Sequence, residues 1–185
     1  VTEADLRRAA VERAYRDHAD DVYRIAYAIL REPESASDMT HEAFARAYER
    51  WEQYDSARPI GPWLHRIVAN AALDHLRRQR VRAITVSLRA DPATTRATGI
   101  EGDPAGTVER RRLIDDGLAS LKPEARAAVV LRHYYGYDYR EIGSVLGTSS
   151  GNVGSMLSRA HAALRARLAA AAEEPDAERH RRAAP

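Results

Sequence analysis

Cysteine is absent from all 185 residues, which together excludes a disulfide framework, a thiolate zinc site and a cysteine nucleophile. Lysine is nearly absent: Lys122 is the only one, so almost all positive charge is carried by arginine. Aromatic residues make up only 6%, glycine is sparse, and long β-branched runs are missing. What remains is rich in Ala, Arg and Leu, a composition that favours helices over sheet. No stretch approaches the roughly 20 apolar residues of a membrane span, and no charged-then-apolar leader precedes the first helical pattern. The expectation is an all-α, cytoplasmic protein that does not insert into a membrane.

Catalytic and metal-binding patterns are also missing. The seven histidines are scattered, and none pairs with another at the i, i+4 spacing of a helical metal site. His41-Glu42 starts like a zincin motif, but Ala45 stands where the second histidine is required. There is no Gly-rich phosphate loop, nucleophile elbow or acidic calcium loop. No metal, no cofactor and no enzymatic activity are expected.

The formal net charge is only +2, yet it is unevenly spread. Asp17, Asp20, Asp21, Glu32, Glu34, Asp38 and Glu42 make the first quarter acidic. Arg66, Arg77, Arg78, Arg80 and Arg82 then stand against the single acid Asp74. Thr2 with Asp5 has capping-box spacing, and a helical apolar pattern follows to Leu30, with a bend expected at His18 to Asp21. Pro33 suits a first helical position, and Pro62 opens another helix lined by Trp63, Ile67, Ala71 and Leu76. That helix ends in arginines, which a helix C-terminus favours in any case.

From Ala83 to Gly106 the periodicity collapses into Thr, Gly, Pro, Asp and Ala, which reads as a flexible linker. Two dozen residues at ~3.3 Å each extend to roughly 80 Å, so the halves on either side need not touch. The domain reading is therefore 1–82, a linker over 83–106, a four-helix unit over 107–170 and a frayed or disordered tail over 171–185. Pro123 starts a helix that Gly136 ends, with Ala127, Val130, Leu131 and Tyr134 expected on its inner face.

The stretch YDYREIGSVLGTSSGNVGSMLSRAHAALRARL then reads as a short helix, a tight turn and a longer helix. Gly147 supplies a left-handed C-terminal residue and Ser149 an N-cap. Val153, Leu157, Ala160 and Leu164 form one apolar stripe, leaving Asn152, Ser155, Met156 and Arg159 on another face, where a recognition helix presents side chains to a major groove. Two helices around a Gly-containing turn also occur in proteins that bind no nucleic acid.

Read together, the halves resemble an extracytoplasmic-function (ECF) sigma factor of bacterial RNA polymerase, which keeps only the second and fourth conserved sigma regions. ASDMTHEAFARAYERW resembles the family's core-polymerase-binding helix: Asp38, Glu42 and Phe44 match, and His41 replaces the usual Gln. GPWLHRIVANAALDHLRRQRVR resembles the region that melts and reads the minus-ten element, with Trp63, Leu64, Arg66, Ile67, Asn70, Asp74, Leu76, Arg77 and Arg78 in pattern. LKPEARAAVVLRHYYGYDYREIGSVLGTSSGNVGSMLSRAHAALR resembles the fourth region, whose helix-turn-helix reads the minus-thirty-five element. Gly154, Met156 and His161 stand where relatives commonly carry basic residues, which predicts weaker phosphate attraction at that element.

The resemblance implies a specificity subunit with RNA polymerase core and promoter DNA, duplex and single-stranded, as partners, and an anti-sigma factor as a further one. Asp38, His41, Glu42, Phe44 and Arg46 would dock on the largest polymerase subunits. Tyr54, Ser56, His65, Arg66, Asn70, Arg77, Arg78 and Arg80 would serve the minus-ten element, where stacked single-stranded bases are worth about 1–3 kcal/mol each. Arg132, Ser149, Asn152, Ser155, Met156 and Arg159 would serve the minus-thirty-five element. Trp63 has a competing reading as core. Two other functions fit the helices alone: a polymerase-independent helix-turn-helix regulator, and a helical adaptor without DNA contact.

Overall fold

The structure is a computed structural model that describes residues 2–87 and 114–182. Every regular element among them is helical. Helix α1 spans Glu3–Leu30, α2 Pro33–Glu49 and α3 Ile60–Ser87, with a 3-10 turn at Trp51–Gln53 between the last two. Helix α4 is described over 114–119; α5 covers Pro123–His133, α6 Tyr139–Leu146 and α7 Ser150–Arg182.

The Thr2–Asp5 capping box forms: the Asp5 amide donates to Thr2 Oγ1 at 3.2 Å, and the Thr2 amide to Asp5 Oδ2 at 2.8 Å. The expected bend at His18 to Asp21 does not occur, and α1 is continuous. Its acids turn to solvent or the half-buried margin, while Val11, Ala14, Ala19 and Val22 carry an unbroken packed stripe past them. Arg31 ends the helix in the left-handed region, φ 60°, with its amide on Tyr27 O at 2.8 Å. Pro33 sits at the start of α2, where the Glu32 carboxylate accepts from the Glu34 and Ser35 amides. Hydrogen bonding from the Ser35 side chain, and from the Ser35 and Glu34 amides, holds the Glu32 pKa below its ordinary value.

Helices α1, α2 and α3 pack mutually around Val22, Ile25, Ile29, Phe44, Leu64 and Val68. Helix α3 continues through Ser87, so the linker expected from Ala83, and the short strand considered at its start, give way to helix. The remainder of that linker, 88–106, lies outside the described residues.

In the C-terminal half, Leu131, Ile142, Val145, Val153 and Leu157 are buried at helical spacings. Asp138 caps α6 through a box with Glu141, and Gly147 ends it at φ 66°. Gly143 is required by the turn itself: a Cβ there would stand 2.6 Å from the Thr148 carbonyl oxygen. Ser149 Oγ accepts from the Asn152 amide at 3.2 Å, the N-cap of α7. Tyr134, expected on an inner face, is 60% exposed beyond the last turn of α5; its neighbour Tyr135 turns inward instead. Helix α7 runs to Arg182, so the tail expected to fray from 171 has helical backbone, consistent with the propensity of its alanine run.

The two halves, which the length of the connecting segment leaves free to stay apart, touch in this structure. Helix α1 packs on α5, and α3 on α6. Arg126 is the centre of this contact. Its Nε donates to Ala28 O at 2.8 Å and its Nη2 to Ile29 O at 2.5 Å, two carbonyls in the last turn of α1. Its Nη1 reaches Ala119 O and Leu121 O at 3.3 and 3.2 Å, at the end of α4. Arg31 Nη1 bonds Asp115 Oδ1 at 3.0 Å, and Tyr135 donates its hydroxyl to Asp21 O at 3.0 Å.

Candidate polymerase and nucleic-acid interface

Helix α2 lays one apolar side on α1 and α3 and turns a charged ridge outward. Asp38, His41 and Glu42, at i, i+3 and i+4, are exposed on that ridge. Arg46 lies one turn further on, its Nε bonded to Glu42 Oε1 at 2.9 Å. The His41 ring stacks at 6.2 Å on Tyr15. Phe44 is different: it is 5% exposed and meets Tyr15 edge-on at 4.8 Å, so it anchors α2 in the core and presents nothing to a partner.

The loop after α2 is closed by its own bonds. Tyr54 donates its hydroxyl to Arg58 O at 2.6 Å, and Asp55 Oδ1 accepts from the Ala57 amide at 3.0 Å, leaving Ser56 exposed at the tip. Beside this loop the Tyr54 ring lies 5.3 Å from Trp51 and 5.2 Å from Trp63. The three half-buried rings make an aromatic floor in which Trp51 and Trp63 meet edge to face at 6.2 Å. Sequence reasoning named Tyr54 and left Trp51 out; the signal was an aromatic on each side of a polar loop.

Along α3, Arg66, Asn70, Arg77, Arg78, Arg80 and Arg82 are exposed, with Arg77 bonded to Asp74 at 2.7 Å. His65 departs from this set. It is 3% exposed, its Nδ1 is 2.8 Å from the Tyr137 hydroxyl, and its ring lies 4.7 Å from Tyr135. Burial pushes the imidazole down from 6.5 to about 4, opposed by the Asp21 carboxylate and assisted by His18. In this arrangement His65 is part of the contact between the halves and does not face DNA. The same burial raises the Tyr135 hydroxyl and pushes Tyr137 up to about 12.

On α7, Val153, Leu157 and Ala160 are buried, Asn152, Ser155 and Arg159 are exposed, and Met156 is half-buried. Asn152 Nδ2 donates to Thr148 Oγ1 at 2.8 Å, which steadies it at the helix start. Arg132 donates to Tyr137 O at 2.9 Å and lies 5.4 Å over the Tyr139 ring, held beside this face. Gly154 gives that ring room: a Cβ there would lie 3.4 Å from it. His133 and His161 meet with Nε2 atoms 2.8 Å apart, a tertiary pairing that linear spacing does not reveal. Among the described residues no group of three metal-ligating side chains gathers, and no helix is long and apolar enough to cross a membrane.

Two helical halves thus carry separate exposed faces, one charged and aromatic over α2 and α3, one at the start of α7. Residues 14–82 match the family model for sigma-70 region 2, and residues 111–164 match that for sigma-70 region 4. The RNA polymerase sigma-E factor of Streptomyces coelicolor is 32% identical over 159 residues, covering 86% of this chain and 86% of that protein. The ECF RNA polymerase sigma factor SigL of Mycobacterium tuberculosis is 32% identical over 170 residues, covering 91% of this chain and 94% of the relative. The chain belongs to the ECF sigma factors of the sigma-70 family. The ECF sigma factor SigE of Mycolicibacterium smegmatis is 38% identical over 160 residues, which is 83% of this chain and 60% of that longer relative. Two solved structures share the fold. RpoE of Bartonella quintana, in complex with the anti-sigma factor NepR, has a TM-score of 0.70 at 18% identity, covering 85% of this chain and 95% of that one. CnrH, in complex with the cytosolic domain of CnrY, has a TM-score of 0.61 at 23% identity, covering 88% and 90%.

Proposed function

We propose a division of labour for this ECF sigma factor, a non-catalytic, cytoplasmic protein that binds core RNA polymerase, directs it to specific promoters and helps open the DNA. The N-terminal unit, α1 to α3, docks on polymerase through Asp38, His41, Glu42 and Arg46. It captures opened minus-ten bases on the Tyr54, Trp51 and Trp63 floor, with Ser56 at the loop tip, while Arg66, Asn70, Arg77, Arg78 and Arg80 hold bases and phosphates. The C-terminal unit, from α4 onward, sets Arg132, Ser149, Asn152, Ser155, Met156 and Arg159 against minus-thirty-five duplex. An anti-sigma factor belongs to this reading, supported by the RpoE structure of like fold, which was solved in complex with one.

The observation that carries the assignment is the order of surfaces along the chain: an exposed acidic ridge, an arginine-edged helix and an N-capped recognition helix, inside two matched sigma regions. Co-purification with core polymerase, followed by selection of promoter fragments from a random DNA pool, tests it. Recovery of a bipartite promoter only in the presence of core is the expected result. Tight binding of a palindromic duplex by the chain alone would instead make it a self-sufficient regulator.

A further inference from the structure

We propose that His133 and His161 form a two-imidazole site for a divalent transition-metal ion, Cu²⁺ first and Ni²⁺ after it, which fastens the end of α5 to the middle of α7. The site stands independently of the polymerase reading above.

The two ligands already meet. His133, the last residue of α5, and His161 of α7 bring their Nε2 atoms to 2.8 Å, with ring centroids 5.0 Å apart and the rings crossed at 64°. In that contact one nitrogen donates and the other accepts, so at least one imidazole is neutral. Burial, then His133 and Arg165, push the His161 imidazole down, which leaves its lone pair available near neutral pH. His133 is exposed and His161 half-buried, so solvent reaches the pair. A swing of the exposed His133 ring about its side-chain bonds, with the proton of each ring on Nδ1, turns both lone pairs onto one ion.

The separation selects among metals. Metal–nitrogen bonds to histidine are about 2.0–2.1 Å, so two imidazoles at a right angle place their nitrogens about 2.9 Å apart, and at the tetrahedral angle roughly 3.3 Å. The observed 2.8 Å matches the right angle, the geometry of tetragonal copper and nickel sites. Copper also heads the affinity order for nitrogen ligands, while zinc prefers the wider tetrahedral spacing. With two protein ligands and water completing the shell, the ion exchanges with solvent and does not define the fold, unlike a four-ligand structural zinc.

The charge around the pair is mixed. His133 closes α5, where the negative end of the helix dipole favours a cation. Its neighbour Arg132 is turned to the Tyr137 carbonyl and the Tyr139 ring. Arg165, one turn beyond His161 and bonded to its carbonyl at 3.3 Å, opposes a cation. The bound ion restrains α7, whose first turns carry Asn152, Ser155 and Arg159.

The test uses the untagged full chain titrated with glycine-buffered Cu²⁺, read by calorimetry, electron paramagnetic resonance and thermal melting. One equivalent is expected to bind with a tetragonal signal split by two imidazole nitrogens and to raise the melting temperature. His133→Gln and His161→Gln should each weaken that equivalent at least about tenfold, the loss that even an outer partner of a metal ligand causes. His75→Gln, a half-buried histidine bonded to Gln79 on α3, should bind as wild type. Arg165→Gln should tighten binding by removing the opposing charge. Amide exchange at the end of α5 and the middle of α7 should slow with copper in wild type and stay unchanged in His161→Gln. Several weak equivalents that persist in both histidine variants, an adventitious ion only, would overturn the site. Equal loss in His75→Gln would do the same. Zinc held more tightly than nickel would overturn the right-angle geometry.

Discussion

The hydroxyl of Tyr137 lies 2.8 Å from Nδ1 of His65, joining residues 72 positions apart across the contact between the two halves. Neither partner is exposed enough to share its proton freely with water, so the pair couples the arrangement of the chain to pH.

The first prediction follows from that burial. The His65 imidazole falls from 6.5 to about 4 in the folded chain, so the unfolded state binds more protons at intermediate pH, and stability must fall as pH falls. The contribution is complete above pH 6.5 and is lost through the window down to 4, by about 2 kcal/mol at pH 5. Facing His65 are His18 and Asp21 from α1, and Tyr135 and Tyr137 from the connection to α6. Urea unfolding between pH 7.5 and 5 should show this slope in wild type and lose most of it in His65→Gln. An unchanged slope would assign the pH dependence to other groups.

Phe44 separates anchoring from docking. Removing its ring by Phe44→Ala leaves a cavity among α1, α2 and α3 and is expected to cost about 3–5 kcal/mol of stability. Phe44→Leu keeps most of the volume, so polymerase affinity should survive. Melting temperature and polymerase binding measured on both variants check this; loss of binding by a well-folded Phe44→Leu would return the ring to the docking face.

Asp38 and Glu42 are tested together by charge reversal. Asp38→Lys with Glu42→Lys should leave the fold intact, because both are exposed and the Glu42–Arg46 pair is an i, i+4 surface pair worth only a few tenths of a kcal/mol. Affinity for core polymerase should fall by tenfold or more, with faster dissociation or slower association at low salt. Wild-type binding by this variant would move docking away from the α2 ridge.

Arg77 and Arg78 bear on DNA. The Arg77–Asp74 pair is 68% and 49% exposed, so Arg77→Ala with Arg78→Ala should change stability by no more than about 0.5 kcal/mol. Promoter opening by the holoenzyme should weaken, and the salt slope of promoter binding should drop by about 1.5 in log–log terms if both cations hold phosphates. A permanganate footprint as strong as wild type would place melting elsewhere.

Much of the fold was written locally. The Thr2 box, the Pro33 start, the left-handed Gly147, the Ser149 cap and the buried Val153–Leu157–Ala160 stripe each depend on residues within a turn or two of one another. Helix α3 was cut short in the reading because Ile84, Thr85 and Val86 depress helix propensity, although a 28-residue helix carries them. The contact between the halves was not legible. Its parts are an arginine, a histidine and tyrosines that individually resemble surface residues, and they find partners 72 to 114 positions away. His65 was grouped with Arg66 and Asn70 for the same reason, since adjacent positions on a helix point in different directions. Phe44 was read from the family pattern, where a residue that positions a docking helix travels with those that touch the partner.

The guanidinium of Arg126 is held by four carbonyl oxygens and no carboxylate. Mobile ions screen exposed charges but scarcely reach such a bond, whereas each phosphate contact on a promoter weakens steeply as salt rises. The partly exposed Arg31–Asp115 pair across the same contact is screened more than the Arg126 bonds are. Raising the salt therefore weakens phosphate contacts on a promoter far more than it weakens this buried guanidinium among carbonyl oxygens.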